Sequence, residues 1–148
     1  MTEPTRERVL FVCTHNSARS QMAEGMLRAW AGDRFEVASA GTEATQVRPE
    51  AIRVMAEIGI DIGAQTSKSL DRFLGQPFAW LVTVCDQAKE ACPTLPGVSR
   101  QAHWSVEDPS AVDGDEAGRI AAFRAARDDL RERVGRFIRE AGTDGAIG

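Results

Sequence analysis

The sequence predicts an α/β fold, a three-layer sandwich around a central, mostly four-stranded parallel sheet, and three observations lead there. Short apolar runs rich in β-branched residues alternate with segments of helical periodicity. Two of the runs stop at a cysteine, Cys13 and Cys85. A long amphipathic segment then closes the chain. With 148 residues, 43% of them hydrophobic, there is material for one domain with a real core spanning 1–148, and a second domain is not expected.

The first strand is expected over Val9 to Val12, whose uninterrupted apolar character suits a strand buried on both faces. From Ser17 to Ala31 the period changes: Met22, Ala23, Met26, Leu27 and Trp30 share one helical face, and Gly32 supplies a stop. A second strand fits Phe35 to Ala40. A second helix fits Pro49 to Ile58, with proline where the first turn tolerates it and Gly59 beyond the end. The third strand is Trp80 to Val84, and a weaker fourth falls near Gln101 to Trp104, before the turn-forming Asp108-Pro109-Ser110. Ile120, Phe123, Leu130, Val134, Phe137 and Ile138 form the stripe of a last helix, whose tail after Gly142 should fray. In such a sheet a ligand is expected beyond the carboxyl ends of the strands.

A formal charge of −4 with scattered basic residues argues against a nucleic-acid surface. The polar start and the short apolar runs argue against a membrane span, so a soluble cytoplasmic protein is expected, working as a monomer. Three cysteines are an odd number without the spacing of a secreted disulfide framework. Thiol chemistry is therefore the question the composition raises.

Cys13-Thr14-His15-Asn16-Ser17-Ala18-Arg19-Ser20 lies between the first strand and the first helix. There, backbone N–H groups and a helix N-terminus can converge on an oxyanion, and the same field favours a thiolate at Cys13. Arg19 can grip two oxygens of a tetrahedral anion at once, and the Ser20 hydroxyl can hydrogen-bond the sulfur. The bare Cys-x5-Arg pattern is weak, and its position between strand and helix supplies the specificity. Cys85 and Cys92 are too widely spaced for a structural zinc pair and have no histidine at ligand spacing, so no metal site is expected. Were residues 85 to 92 helical, their Cα atoms would stand about 10 Å apart, beyond disulfide reach, so bridging them would require the segment to unwind.

The run Val-Leu-Phe-Val-Cys-Thr-His-Asn-Ser-Ala-Arg-Ser resembles the anion loop of the low-molecular-weight protein tyrosine phosphatase superfamily, and within it the chain resembles the thioredoxin-coupled arsenate reductases. The likeness extends through Ser-Ala-Gly-Thr at 39–42, Gln-Thr-Ser at 65–67, Val-Thr-Val-Cys at 82–85, Cys92-Pro93, His103-Trp104 and Asp108-Pro109. It implies a reductase in which the loop from Thr14 to Ser20 binds arsenate, Cys13 is the nucleophile and Asp108 protonates the leaving oxygen. Cys85 and Cys92 then pass a disulfide outward to thioredoxin, with no organic cofactor. Asn16, Glu24 and Ser39 match positions that fix the loop or hold potassium in some of these reductases. Lys68 stands where the potassium-binding members carry an acid, so potassium dependence is not expected. His15 reads as a residue that shapes the loop, and His103 and Trp104 as packing beside the acid loop. Phosphatases of the superfamily wall their pocket with aromatic residues after Asp-Pro, but here Ser110 and Ala111 follow. A phosphomonoester phosphatase, needing only Cys13, Arg19 and Asp108, is the nearest rival. A non-catalytic oxyanion or thiol-redox sensor is the rival from another class.

Overall fold

In the computed structural model, residues 6–85, 97–112 and 114–147 are described. Four strands, β1 (Glu7–Cys13), β2 (Phe35–Gly41), β3 (Phe78–Val84) and β4 (Val98–Trp104), form one sheet in the order β2-β1-β3-β4, with every pairing parallel. Among the described residues three α-helices, α1 (Arg19–Ala31), α2 (Pro49–Ala56) and α3 (Glu116–Ile147), follow β1, β2 and β4. The predicted α/β architecture is thus present, with β1 and β3 at the centre.

The alternation of a strand's side chains divides the core in two. Val9 and Phe11 of β1 and Val82 and Val84 of β3 face one way, onto Met22, Met26 and Leu27 of α1 and Phe123, Leu130 and Val134 of α3. Leu10, Val12 and Leu81 face the other way, where Phe73, from the short 3-10 turn Leu70–Phe73, and Phe78 cover them. Each element starts or ends for a local reason. Pro49 opens α2 at a position that needs no N–H, and Gly59, at a left-handed φ of 80°, lets the chain turn after it.

Two boundaries differ from expectation by three residues or more. β4 runs Val98–Trp104, longer than the sequence pattern implies, because a sheet-edge strand is left largely open and carries no apolar alternation to read. α3 continues through Ile147, past Gly142, where fraying was expected.

Parallel strands deliver their carboxyl ends to one side of the sheet. Cys13 closes β1, Gly41 closes β2, and Cys85 follows the last residue of β3. In the β1–β3 ladder Val12 is opposite Thr83, which sets Cys13 level with Val84 and one residue short of Cys85. The two cysteines therefore share the end of the sheet where a ligand was expected.

Candidate active site

Between Cys13 and Arg19 the backbone folds into a loop whose carbonyls are all engaged from outside. The Thr14 carbonyl accepts from the Glu43 amide and the Thr42 hydroxyl (both 3.0 Å), and that of His15 from the hydroxyls of Thr45 (3.0 Å) and Ser67 (3.1 Å). Asn16 accepts from Gln21 Nε2 at 3.1 Å and Ser17 from the Arg48 amide at 2.8 Å. In a trans peptide the N–H points opposite to the C=O. Holding the carbonyls outward thus turns the amides of the following residues toward the loop interior, where they join the first amides of α1 as an anion cradle.

The loop closes over Gly41. A Cβ at that position would lie 2.6 Å from the Asn16 nitrogen and 2.8 Å from the Thr14 oxygen, so only glycine fits beneath it. Asn16 itself adopts a left-handed φ of 51°, which asparagine tolerates better than most residues.

Asn16 is fully buried and its amide is the hub of the site. Its Nδ2 donates to Ser20 Oγ (2.8 Å) and Ser39 Oγ (2.9 Å), while its Oδ1 accepts from the Lys68 amide (2.7 Å) and Gln21 Nε2 (2.9 Å). Ser39 in turn donates to Glu24 Oε1 at 2.5 Å. Because Ser20 Oγ already accepts from Asn16, its own proton is free to point at Cys13 Sγ, 2.9 Å away. The network from Glu24 to Ser20 is thus polarised toward the sulfur. Cys13 is a free thiol and 2% exposed.

Arg19 is 3% exposed and ties this cradle to the loop after β4. Its Nη1 donates to the Val106 carbonyl at 3.0 Å, and its Nη2 lies 3.7 Å from Asp108 Oδ2. Asp108 is fixed through its other oxygen, which accepts from the Ser110 amide (3.0 Å) and hydroxyl (2.6 Å). Oδ2 is left for Arg19 and for whatever enters. A cleft of about 650 Å³ opens in front of them, lined by His15, Ser17, Thr45, Arg48, Asp108 and Ser110 among others, with no Phe or Trp among its described lining residues.

The structure therefore brings together Cys13, Arg19 and Asp108 with the loop from Thr14 to Ser20. His15 contributes its backbone, and its exposed ring stands 3.5 Å from Glu43. Cys85 is fully buried and disulfide-bonded. Cys92 lies outside the described residues. Lys68 occupies the expected place: its ammonium is 3.9 Å from Glu24 Oε1 and donates to the Thr66 carbonyl at 2.5 Å. Burial lowers the proton affinity of that ammonium, while the Glu24 charge raises it. Of the two residues read as packing, Trp104 does pack, 5.7 Å from the Phe11 ring and 6.2 Å from Phe137. His103 instead pairs with Thr83 through Nδ1 at 2.8 Å. Sequence reasoning missed Gln21, which supports Asn16, and Gln65, whose Nε2 holds the Gln21 carboxamide oxygen at 2.8 Å. No local signal marked Gln21, which shares its helical face with Glu24 and Arg28 rather than with the apolar stripe.

Residues 8–146 match the model of the low molecular weight phosphotyrosine protein phosphatase family. The chain is 43% identical over 129 residues to an arsenate reductase of Halalkalibacterium halodurans, covering 87% of this chain and 93% of that one. It is 40% identical over 129 residues to an arsenate reductase of Bacillus subtilis, with the same coverage. Among solved structures it is similar to an arsenate reductase in the phosphate binding state, with a TM-score of 0.76 and 33% identity over 90% of this chain and 98% of the other.

Proposed function

The chain belongs to the low molecular weight phosphotyrosine protein phosphatase family, and we propose that within it the protein is an arsenate reductase that works through a three-cysteine relay emptied by thioredoxin. The observation that carries this reading is the placing of Cys13 and Cys85 at the same end of adjacent central strands. A phosphatase needs the first of these thiols and has no use for the second. The cleft supports it too: with no Phe or Trp among its described lining residues it offers an aryl phosphate little to stack on, but it admits a small inorganic oxyanion.

In the first step the Cys13 thiolate attacks arsenate held by the loop amides and Arg19. Asp108 gives its proton to the departing oxygen, which leaves as water, and a sulfur–arsenic bond forms. Cys85 then attacks the Cys13 sulfur. The electron pair of the broken sulfur–arsenic bond stays on arsenic, reducing As(V) to As(III), and arsenite departs as a Cys13–Cys85 disulfide forms. Cys92 attacks Cys85, which frees Cys13 and leaves Cys85–Cys92 for the thioredoxin dithiol. A disulfide at Cys85 beside a free thiol at Cys13 is the combination that this last exchange leaves behind.

Parity along β3 points the Cys85 position to the sheet face opposite Cys13 and Val84, so the second step requires the segment after β3 to move. Arsenite release over many turnovers, followed with thioredoxin, its reductase and NADPH, tests the proposal. Wild type should cycle, and Cys85→Ser should release no arsenite while keeping any slow hydrolysis of p-nitrophenyl phosphate. Hydrolysis without arsenite release in the wild type would favour the phosphatase.

A further inference from the structure

A second cleft among the described residues is separate from the Cys13 loop. It encloses about 740 Å³ beside α1, and none of its lining residues comes from the segment 13–20. Its wall carries three cations, Arg28, Lys68 and Arg72, against two acids, Glu24 and Asp61. Glu24 is largely committed, whereas Asp61 is exposed and meets one backbone amide. Glu24 binds Arg28 at 2.6 Å and Ser39 at 2.5 Å, leaving Lys68 a distant 3.9 Å contact, and Asp61 accepts the Gly63 amide at 2.8 Å.

Arg28 is served by Glu24, whereas Lys68 and Arg72 are under-served. The Lys68 side chain is only 13% exposed, and its ammonium makes one hydrogen bond, to Thr66, although it has three N–H groups. Arg72 has no carboxylate partner among the described residues. Burial lowers the proton affinity of Lys68 and the Glu24 charge raises it, while the charges of Arg72 and Arg28, which face the same wall, lower it further.

We propose that this cleft is a second oxyanion site, in which Lys68 and Arg72 hold a small tetrahedral anion such as phosphate. The two residues offer complementary chemistry, a point charge with unfilled donors and a planar guanidinium fork. The site is also wired to the first. The Lys68 amide supports Asn16 Oδ1, its carbonyl accepts from the Gly41 amide at 2.9 Å, and its ammonium faces the Glu24 that anchors Ser39. An anion that draws the Lys68 ammonium toward Arg72 acts on the same residues that orient the Cys13 loop.

Equilibrium dialysis against labelled inorganic phosphate tests this without requiring arsenate to be the substrate. The wild-type chain should bind two phosphates. Arg19→Ala should lose the loop site and keep the other, whereas Arg72→Glu, a change at an exposed side chain, should keep the loop site and weaken the second at least tenfold. Lys68→Met should also weaken the second site at least tenfold. One phosphate per wild-type chain, loss of all binding in Arg19→Ala, or an unchanged second site in Arg72→Glu would each overturn the proposal.

Discussion

At Cys13 the chemistry follows from how the surrounding donors are already committed. Glu24 takes the Ser39 proton, Ser39 and Ser20 both accept from Asn16, and the Ser20 proton remains for the sulfur. Arg19 adds a buried charge whose second nitrogen reaches toward Asp108. Arg19→Lys keeps the charge but loses the fork, and the proposed mechanism expects kcat for arsenate to fall roughly a hundredfold, as when one preorganised oxyanion donor is removed. Steady-state kinetics at saturating thioredoxin would check it, and wild-type values would remove Arg19 from the site. Potassium belongs at this scale too. With the Lys68 ammonium lying beside Glu24, added potassium should change turnover little compared with sodium at equal ionic strength. A saturable activation specific to potassium would show that the ammonium does not take the cation's place. Most of these residues were legible in the sequence because the loop motif is contiguous. Gln21 and Gln65 were not, because their role exists only once α1 and the segment after α2 are side by side.

Among elements, the central strands were the easiest to read and the edge the hardest. β1 and β3 are buried on both faces and announce themselves as apolar runs, whereas β4 is exposed along much of its length, so its register came only from pairing with β3. Helix α3 is held to the end of α2 by charge as well as by its apolar stripe. Arg124 places two nitrogens on Glu57, at 2.6 and 2.9 Å, and Arg127 a third at 2.7 Å. The hydrogen bonds from Arg124, helped by Arg127 and opposed by partial burial, lower the Glu57 carboxyl to about 2. A carboxyl depressed in the folded state contributes its stability in full above the unfolded value of about 4.3 and loses it as the pH falls through 2. Urea unfolding between pH 5 and pH 2 should therefore show stability declining with acid, with a shallower decline in Glu57→Gln. Parallel curves for the two proteins would mean that the pair adds nothing across this range.

For the whole molecule, the fold sets two cysteines at one end of a parallel sheet and closes the first inside a loop that a protein reductant cannot enter. Cys13 is 2% exposed and Cys85 fully buried, so the oxidising equivalent must be carried outward before a bulky dithiol can meet it. The succession of strands and helices along the chain and the position of the loop could be read from the alternation of apolar runs and helical periods. The relay could not be derived from periodicity, because nothing local in the sequence reports that β1 and β3 are neighbours or that Val12 is level with Thr83. The most direct measurement treats reduced Cys92→Ser protein with one equivalent of arsenate and maps its disulfides. The relay predicts one equivalent of arsenite, a trapped Cys13–Cys85 bond and no further turnover with thioredoxin. Continued cycling of Cys92→Ser at the wild-type rate with thioredoxin would contradict it.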